Sequence, residues 1–397
     1  MATFDSDGWD DIRTATNIDD VTNQMDRVSI QLDDAVGRPH TNFRDQFGVI
    51  ERDGGCFASK RLVEEYVERF AGKSFVVGCA YDLYSDMFLM ATRSNISYKD
   101  GIERPFPATI PLSDRSIYEA DKDDTLNGPT DVAILEAGSE YAAVCGNRII
   151  RLMYSNEVGK EGFQATDIMS RACGRSQFRG IAADSTQRLV FTYSFVERQI
   201  LCVDADGLDK VISAIGYLPV PETSMRFGSV CFMAYNPTKR MLVTSDLGFG
   251  KREGRGNLNR ALIRTFTLSE SRQLEKSGEY FVPGVPPRNV TPGFIQYSSG
   301  ILVDNEGWIV IGDADRGTLH LFDEQLRPKC VVTLPSSKHE HRKPYITGIA
   351  LSATHAAIAS SSTRQVHFYS FQLVTDLNVL PPHGFALHHP PLPIFIY

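Results

Sequence analysis

Short apolar runs return along this chain about every fifty residues, and three of them align without gaps. Gly78-Cys79-Ala80-Tyr81-Asp82, Gly180-Ile181-Ala182-Ala183-Asp184 and Gly300-Ile301-Leu302-Val303-Asp304 each open on glycine and close on aspartate. Weaker copies begin at Asp131, Phe232 and Gly348, so successive starts lie 48 to 68 residues apart. Each start is followed by a turn, then by two more runs rich in Val, Ile and aromatics with a turn between them. Runs this short, bounded by Gly, Asn and Asp, predict strands. A unit of that size cannot bury its faces alone, so the repeat predicts an array of small sheets packed on one another.

Two copies show the grammar. Gly180 to Asp206 reads as a strand to Asp184, a turn Ser185-Thr186-Gln187, a strand Arg188 to Tyr193, a loop, and Arg198 to Asp204 with alternating polar and apolar positions. Gly300 to Asp323 repeats this with the turn Asn305-Glu306-Gly307, a strand Trp308 to Gly312, and Leu319-His320-Leu321-Phe322-Asp323. The predicted fold is all-β, a six-bladed β-propeller over residues 73–380. Around it the sequence predicts a disordered acidic tail over 1–42, a closing strand with a short N-terminal helix over 43–72, and a Pro-rich strap over 381–397. Within 43–72, Phe47-Gly48-Val49-Ile50-Glu51 reads as the strand that closes the ring. Ser59 ahead of Leu62, Val63, Tyr66, Val67 and Phe70, with Gly72 beyond, reads as a capped helix.

The paired motifs, Gly300 to Asp304 with Leu319 to Asp323 and Gly180 to Asp184 with Ile200-Leu201-Cys202-Val203-Asp204, resemble the NHL-repeat family of six-bladed propellers. The resemblance covers roughly residues 73 to 380 and is motif-grade in those two copies. It implies a face of loops that binds another macromolecule, a protein or single-stranded RNA. Many relatives carry a RING or B-box ahead of the propeller; neither is encoded in this sequence, so the resemblance does not extend to ubiquitin transfer.

Composition narrows the function classes. The chain has 397 residues, 42% hydrophobic and 23% charged, ordinary for a globular protein. No apolar run reaches the roughly 18 to 20 residues of a membrane helix, and the first residues lack a signal-peptide pattern. The seven cysteines, at 56, 79, 145, 173, 202, 231 and 330, form no C-x-x-C pair, which suits a reducing, cytoplasmic setting without disulfides or zinc fingers. Of the net charge of −8, residues 1–40 hold nine Asp against three Arg, leaving the rest nearly neutral.

In a propeller, the entries of the first strands and the turns between second and third strands open on one face. The residues predicted to bind there are Arg148, Arg179, Arg198, Arg226, Lys251, Arg252, Arg255, Arg260, Arg316, Arg342 and Lys343, with Tyr193, Phe195, Phe249 and Tyr345 among them. Guanidinium groups beside aromatic rings suit a protein hot spot and equally the phosphates and bases of single-stranded RNA. The expected activity is a non-catalytic interaction platform for a protein partner, with RNA-based post-transcriptional regulation as the alternative. No DNA, membrane, cofactor or metal is expected. A third reading, a divalent-metal lactonase-type hydrolase, would use Asp82, Asp184, Asn236 and Asp304, but their repeat-matched turn positions read better as caps on backbone N–H groups. The loop Gly248 to Asn257 lacks the G-K-S/T of a phosphate loop. His339-Glu340-His341 and His388-His389 lack zinc-ligand spacing.

Overall fold

The structure, a computed structural model, describes residues 42–52, 55–69, 76–85, 87–92, 96–100, 108–110, 129–155, 162–170, 178–217, 230–246, 252–253, 256–257, 262–282, 289–314, 316–336, 344–360 and 365–374. The Pro-rich strap lies outside these residues, as does the expected acidic tail except for Asn42, which caps a helix.

After a five-residue helix, α1 (Phe43–Phe47), a hairpin pairs β1 (Val49–Arg52) with β2 (Gly55–Ala58), and β3 (Lys60–Arg69) follows. Sheet 1 contains β4 (Val76–Asp82), β5 (Met87–Thr92), β6 (Ile96–Asp100) and β7 (Ala108–Ile110). Sheet 2 contains β8 (Pro129–Glu136), β9 (Glu140–Cys145), β10 (Arg148–Ser155) and β11 (Gly162–Ser170). Sheet 3 contains β12 (Phe178–Asp184), β13 (Leu189–Ser194), β14 (Gln199–Asp204) and β15 (Val211–Gly216). In sheet 4, β16 (Val230–Asn236) and β17 (Met241–Asp246) are followed by a small hairpin, β18 (Arg252–Glu253) and β19 (Gly256–Asn257), before β20 (Leu262–Leu268) and β21 (Leu274–Phe281) complete the sheet. Sheet 5 contains β22 (Ser298–Val303), β23 (Ile309–Asp313), β24 (Thr318–Phe322) and β25 (Pro328–Thr333). Sheet 6 contains β26 (Ile346–Leu351), β27 (His355–Ser360), β28 (Gln365–Leu373) and, as its fourth strand, β3.

All pairings are antiparallel, and the first strands touch in a closed cycle from β4 through β8, β12, β16, β22 and β26 back to β4. That closed cycle of radial sheets is a β-propeller. Each first strand carries a β-bulge near its entry, at Val76/Gly78, Pro129/Asp131, Arg179/Ile181, Val230/Phe232, Ser299/Ile301 and Ile346/Gly348. The repeated glycine has its reason here. Gly180 and Gly300 are the skipped residues and adopt φ of +64° and +65°, a region closed to most side chains. Second strands are covered by neighbouring sheets on both faces, so β13 and β17 are buried at every position, and each opens on an apolar run, Leu189-Val190-Phe191 and Met241-Leu242-Val243.

The ring closes differently from expectation. Residues 60–69 are a strand, not a helix: nine positions of β28 pair with β3, from Gln365 opposite Arg69 to Leu373 opposite Lys60. Leu62, Val63, Tyr66 and Val67 fit helical spacing, but a ten-residue segment beside an unpaired strand gains more from the ladder than from an isolated helix. The run at Phe47 to Glu51 does not close the ring; its strand residues belong to the β1–β2 hairpin. The short helix lies earlier, at α1, capped by the Asn42 side chain and by Gly48 at φ +59°. It is fixed by a hydrogen bond from Phe43 N to Asp304 Oδ2 (2.7 Å) and one from the Gln46 amide to Ser352 O.

Candidate functional site

In each sheet, the entry of the first strand and the turn between the second and third strands lie at the same end, so one ring of turns forms the loop face. The described members of the expected site all belong to it. Phe195-Val196-Glu197-Arg198 is the β13–β14 turn; Phe195 is 39% and Val196 62% exposed. The Arg179 guanidinium, from the entry of β12, stands 4.8 Å over the Phe195 ring centroid, within cation–π distance. Arg198 is exposed at φ +54°, and its carbonyl accepts a hydrogen bond from Tyr217 N (2.9 Å).

The other described candidates are held more tightly. Arg148 is bound to Asp167 on the adjacent strand, with Nε to Oδ1 at 2.8 Å. Arg316 reaches Asn289 O at 3.5 Å, and Tyr345 lies 6.2 Å from Tyr297. Tyr193 is 1% exposed and packs edge-on against Tyr217 at 5.7 Å. It is a cap on the core and not a surface anchor, because it lies in a strand covered on both faces, whose next and last residue, Ser194, is buried as well. Arg252 lies in β18, whose backbone alone is described. Arg226, Lys251, Arg255, Arg260, Arg342, Lys343 and Phe249 lie outside the described residues, as do His339-Glu340-His341 and His388-His389.

Beneath the loop face sits a polar layer that the repeat pattern did not reveal. Asp246, at the end of β17, accepts from Leu262 N (3.1 Å) and the Tyr217 hydroxyl (3.4 Å). Burial raises its carboxyl to a pKa of about 7. Arg264 lies over the Tyr217 ring at 4.3 Å and bonds Glu279 (2.7 Å). Asp313, the corresponding residue of sheet 5, accepts from Gln296 N and Tyr297 N. His320 accepts at Nδ1 from Gly293 N (3.1 Å) and is kept neutral by burial and by Arg316, with its pKa lowered to about 3. Asp246 and Asp313 share one repeat position, the end of the second strand, and Arg264 and His320 share another, the third residue of the third strand; those two matches were the available signal.

The central channel encloses a cavity of about 230 Å³, lined by the first strands of all six sheets. One carboxylate enters its wall. Asp131 accepts from Val132 N (3.0 Å) and from Ile181 N of the next sheet (3.1 Å), and burial raises its pKa to about 7.

At the opposite end, the repeat acids cap turns. Asp184 accepts from Thr186 N and Gln187 N, Asp304 from Glu306 N and Trp308 N, and Asn236 from Lys239 N. Asp82 accepts from Tyr84 N, and also from Gly138 N and the Tyr141 hydroxyl in sheet 2. Their lone pairs are engaged by N–H and O–H groups, and among the described residues no three His, Cys, Asp or Glu converge as a metal site.

No protein-family model matches the chain. No curated protein is similar to it. Among solved structures it is similar to a protein of unknown function from Bacteroides thetaiotaomicron, with a TM-score of 0.49 and 12% identity over 79% of this chain and 74% of that one. It is similar also to the β-propeller domain of Cps50 (Swd1) from Myceliophteria thermophila (TM-score 0.46, 8% identity, 74% and 83% covered). Streptogramin B lyase gives a TM-score of 0.46 and 11% identity, over 77% of this chain and 98% of that one. No helix among the described residues is long and apolar enough to cross a membrane.

Proposed function

We propose that this chain is a non-catalytic, NHL-like propeller that binds a protein partner through its loop face inside the cell, with Phe195, Val196, Arg179 and Arg198 as the anchor. One observation carries the reading: an aromatic and a branched residue stand out from a rigid turn while an arginine stands over the ring. Rigid, pre-positioned aromatic and arginine side chains lose little entropy on binding and dominate interface energetics. The non-catalytic reading is supported by the occupied lone pairs of the repeat acids. Single-stranded RNA is favoured by the same Arg–ring pairing, since a base could take the place of a partner side chain.

Affinity capture from cells, with and without ribonuclease, separates the two. Partners retained after ribonuclease and lost from both Phe195→Ala and Arg198→Glu support protein binding through this turn. Crosslinked RNA that falls with the same variants and with salt moves the function to RNA. Equal recovery of protein and RNA from wild type and variants removes the turn from consideration.

A further inference from the structure

Each first strand is the innermost member of its sheet and has no ladder partner on the channel side, so its inward backbone groups need other partners. Six residues follow the bulges directly and stand at one level of the channel: Gly78, Asp131, Ile181, Phe232, Ile301 and Gly348. Five are glycine or apolar, and one is an acid. Two residues further along their strands, Ala80, Ala133, Ala183 and Ala234 make a level of small side chains. Both levels line the cavity of about 230 Å³. Ala80, Ala183 and Ala234 stay partly exposed although they lie on the innermost strands, and the surface they expose belongs to that cavity.

Among the described residues that line the cavity, Asp131 alone carries a charge. Each of its oxygens accepts one backbone N–H, from Val132 (3.0 Å) and from Ile181 (3.1 Å), which leaves a carboxylate further lone pairs to offer. No Lys, Arg or His among the described residues stands close enough to offset its charge. A charge held away from bulk water is ordinarily paired with one of opposite sign. The wall is also shaped around this group: a Cβ on Gly78 would collide with the Asp131 carboxyl.

We propose that the central channel binds a short primary alkylammonium ion, its ammonium group on the Asp131 carboxylate and its chain along the alanine level. An ammonium group has three N–H donors and no acceptor. The carboxylate takes at least one of them, and inward carbonyls of the unpaired first-strand edges take the rest. The chain covers apolar wall at Ala183, Ala234 and Val303, which favours an alkyl group over a hydrated inorganic ion. At roughly 30 Å³ per water the cavity has space for about seven waters, so an amine of about five non-hydrogen atoms fits in their place. A divalent metal ion is a poorer match, because it draws on several oxygen ligands and commonly on more than one carboxylate. This site lies inside the ring, apart from the Phe195 turn, and its test does not depend on the loop-face reading.

Calorimetric titration of the full chain at about pH 8, where the carboxyl is mostly ionised, tests this with n-butylammonium chloride. Tetramethylammonium chloride, which has no N–H, and potassium chloride serve as controls at equal ionic strength. The expected result is saturable n-butylammonium binding with a dissociation constant of about 1 mM. It should weaken at least about tenfold in Asp131→Asn, which removes the charge, and in Ala183→Leu, which fills the chamber. Binding undetectable up to about 50 mM overturns the proposal. So does equal binding of tetramethylammonium or potassium, or binding that survives either variant. Should Asp131→Asn fail to fold, Ala183→Leu decides by the same criterion. Should neither fold, a wild-type crystal soaked in n-butylammonium decides: density for the amine on the Asp131 carboxylate supports the site, and water alone in its place refutes it.

Discussion

Sheets 3 and 6 have the same four-stranded order, yet one is assembled from consecutive strands and the other across the whole chain. β14 meets β15 through the tight turn at Ala205 to Lys210, whereas β28 meets β3 through pairs such as Glu64 and His367, 303 residues apart. For a flexible chain, closing the longer loop costs about 3 kcal/mol more. The distant pairing carries correspondingly more specific contact. It has nine paired positions against five, with Tyr66 stacked on Phe368 at 4.5 Å. The buried Glu64 carboxylate also lies within hydrogen-bond distance of His367, Oε1 to Nδ1 at 2.7 Å. Local strands are held by proximity. The closing strand must be held by its side chains.

The most direct way to break this contrast is to remove β3. A chain beginning at Phe70 leaves β28 with an open ladder edge and exposes Phe368, Tyr369 and His367, all 0% exposed in the closed ring. Losing that many buried contacts exceeds the 5–15 kcal/mol that typically stabilises a domain. The expected result is loss of cooperative unfolding by calorimetry, restored when a peptide covering residues 55–72 is added. A truncated chain that still unfolds in one sharp transition would show that sheets 1 to 5 hold the ring without the strand.

The same contrast separates what the sequence disclosed from what it concealed. The repeat was legible because two of the bulges place glycine at positive φ, four of the first strands end on an Asp or Asn that caps the turn, and second strands buried on both faces carry apolar runs. The closing strand was not, because Lys60 to Arg69 has charges where an outer strand faces solvent, and its apolar residues satisfy helical as well as strand spacing. Tertiary pairing decided between them. The candidate face was legible as a set of turns, since turn residues are marked by their neighbours. The individual roles were not: Arg148 is bound by Asp167 from a strand nineteen positions on, and Tyr193 sits under Tyr217, neither of which any local pattern foretells.

A smaller effect distinguishes how sheet 3 is joined to the ring. Ile181 N on its first strand donates to Asp131 of sheet 2, a carboxyl whose pKa burial lifts from the usual carboxylate range to about 7. A folded pKa above the unfolded value means that the stabilising contribution is complete below about pH 4 and is lost as pH rises through 7, by at most about 4 kcal/mol. Urea denaturation between pH 4 and 8 should therefore show wild type losing stability relative to Asp131→Asn over that window. A difference independent of pH would mean that the carboxyl titrates normally. Asp246, raised likewise to about 7, adds in the same direction, so the double Asn variant should flatten the profile further.

The smallest effects concern the polar links of the two sheets, and salt tells them apart. In sheet 6, Glu64→Ala leaves His367 Nδ1 buried without its partner, a loss of about 2–3 kcal/mol. The pair is only 1% and 4% exposed on its two side chains, so added salt should not change that loss. In sheet 3, Arg188 reaches across to Glu140 of sheet 2 (2.5 Å) and to Asp206 (2.8 Å), with Arg151 also on Asp206. Here the side chains are 17% to 52% exposed, so Arg188→Ala should cost no more than about 1 kcal/mol, and much of that should vanish near 1 M salt. Arg188 also sits at φ +55°, so Arg188→Gly regains about 1 kcal/mol of backbone strain and should be close to neutral at any salt concentration. An Arg188→Ala loss as large and as salt-independent as that of Glu64→Ala would mean that the locally assembled sheet depends on its side-chain links as much as the closing one does.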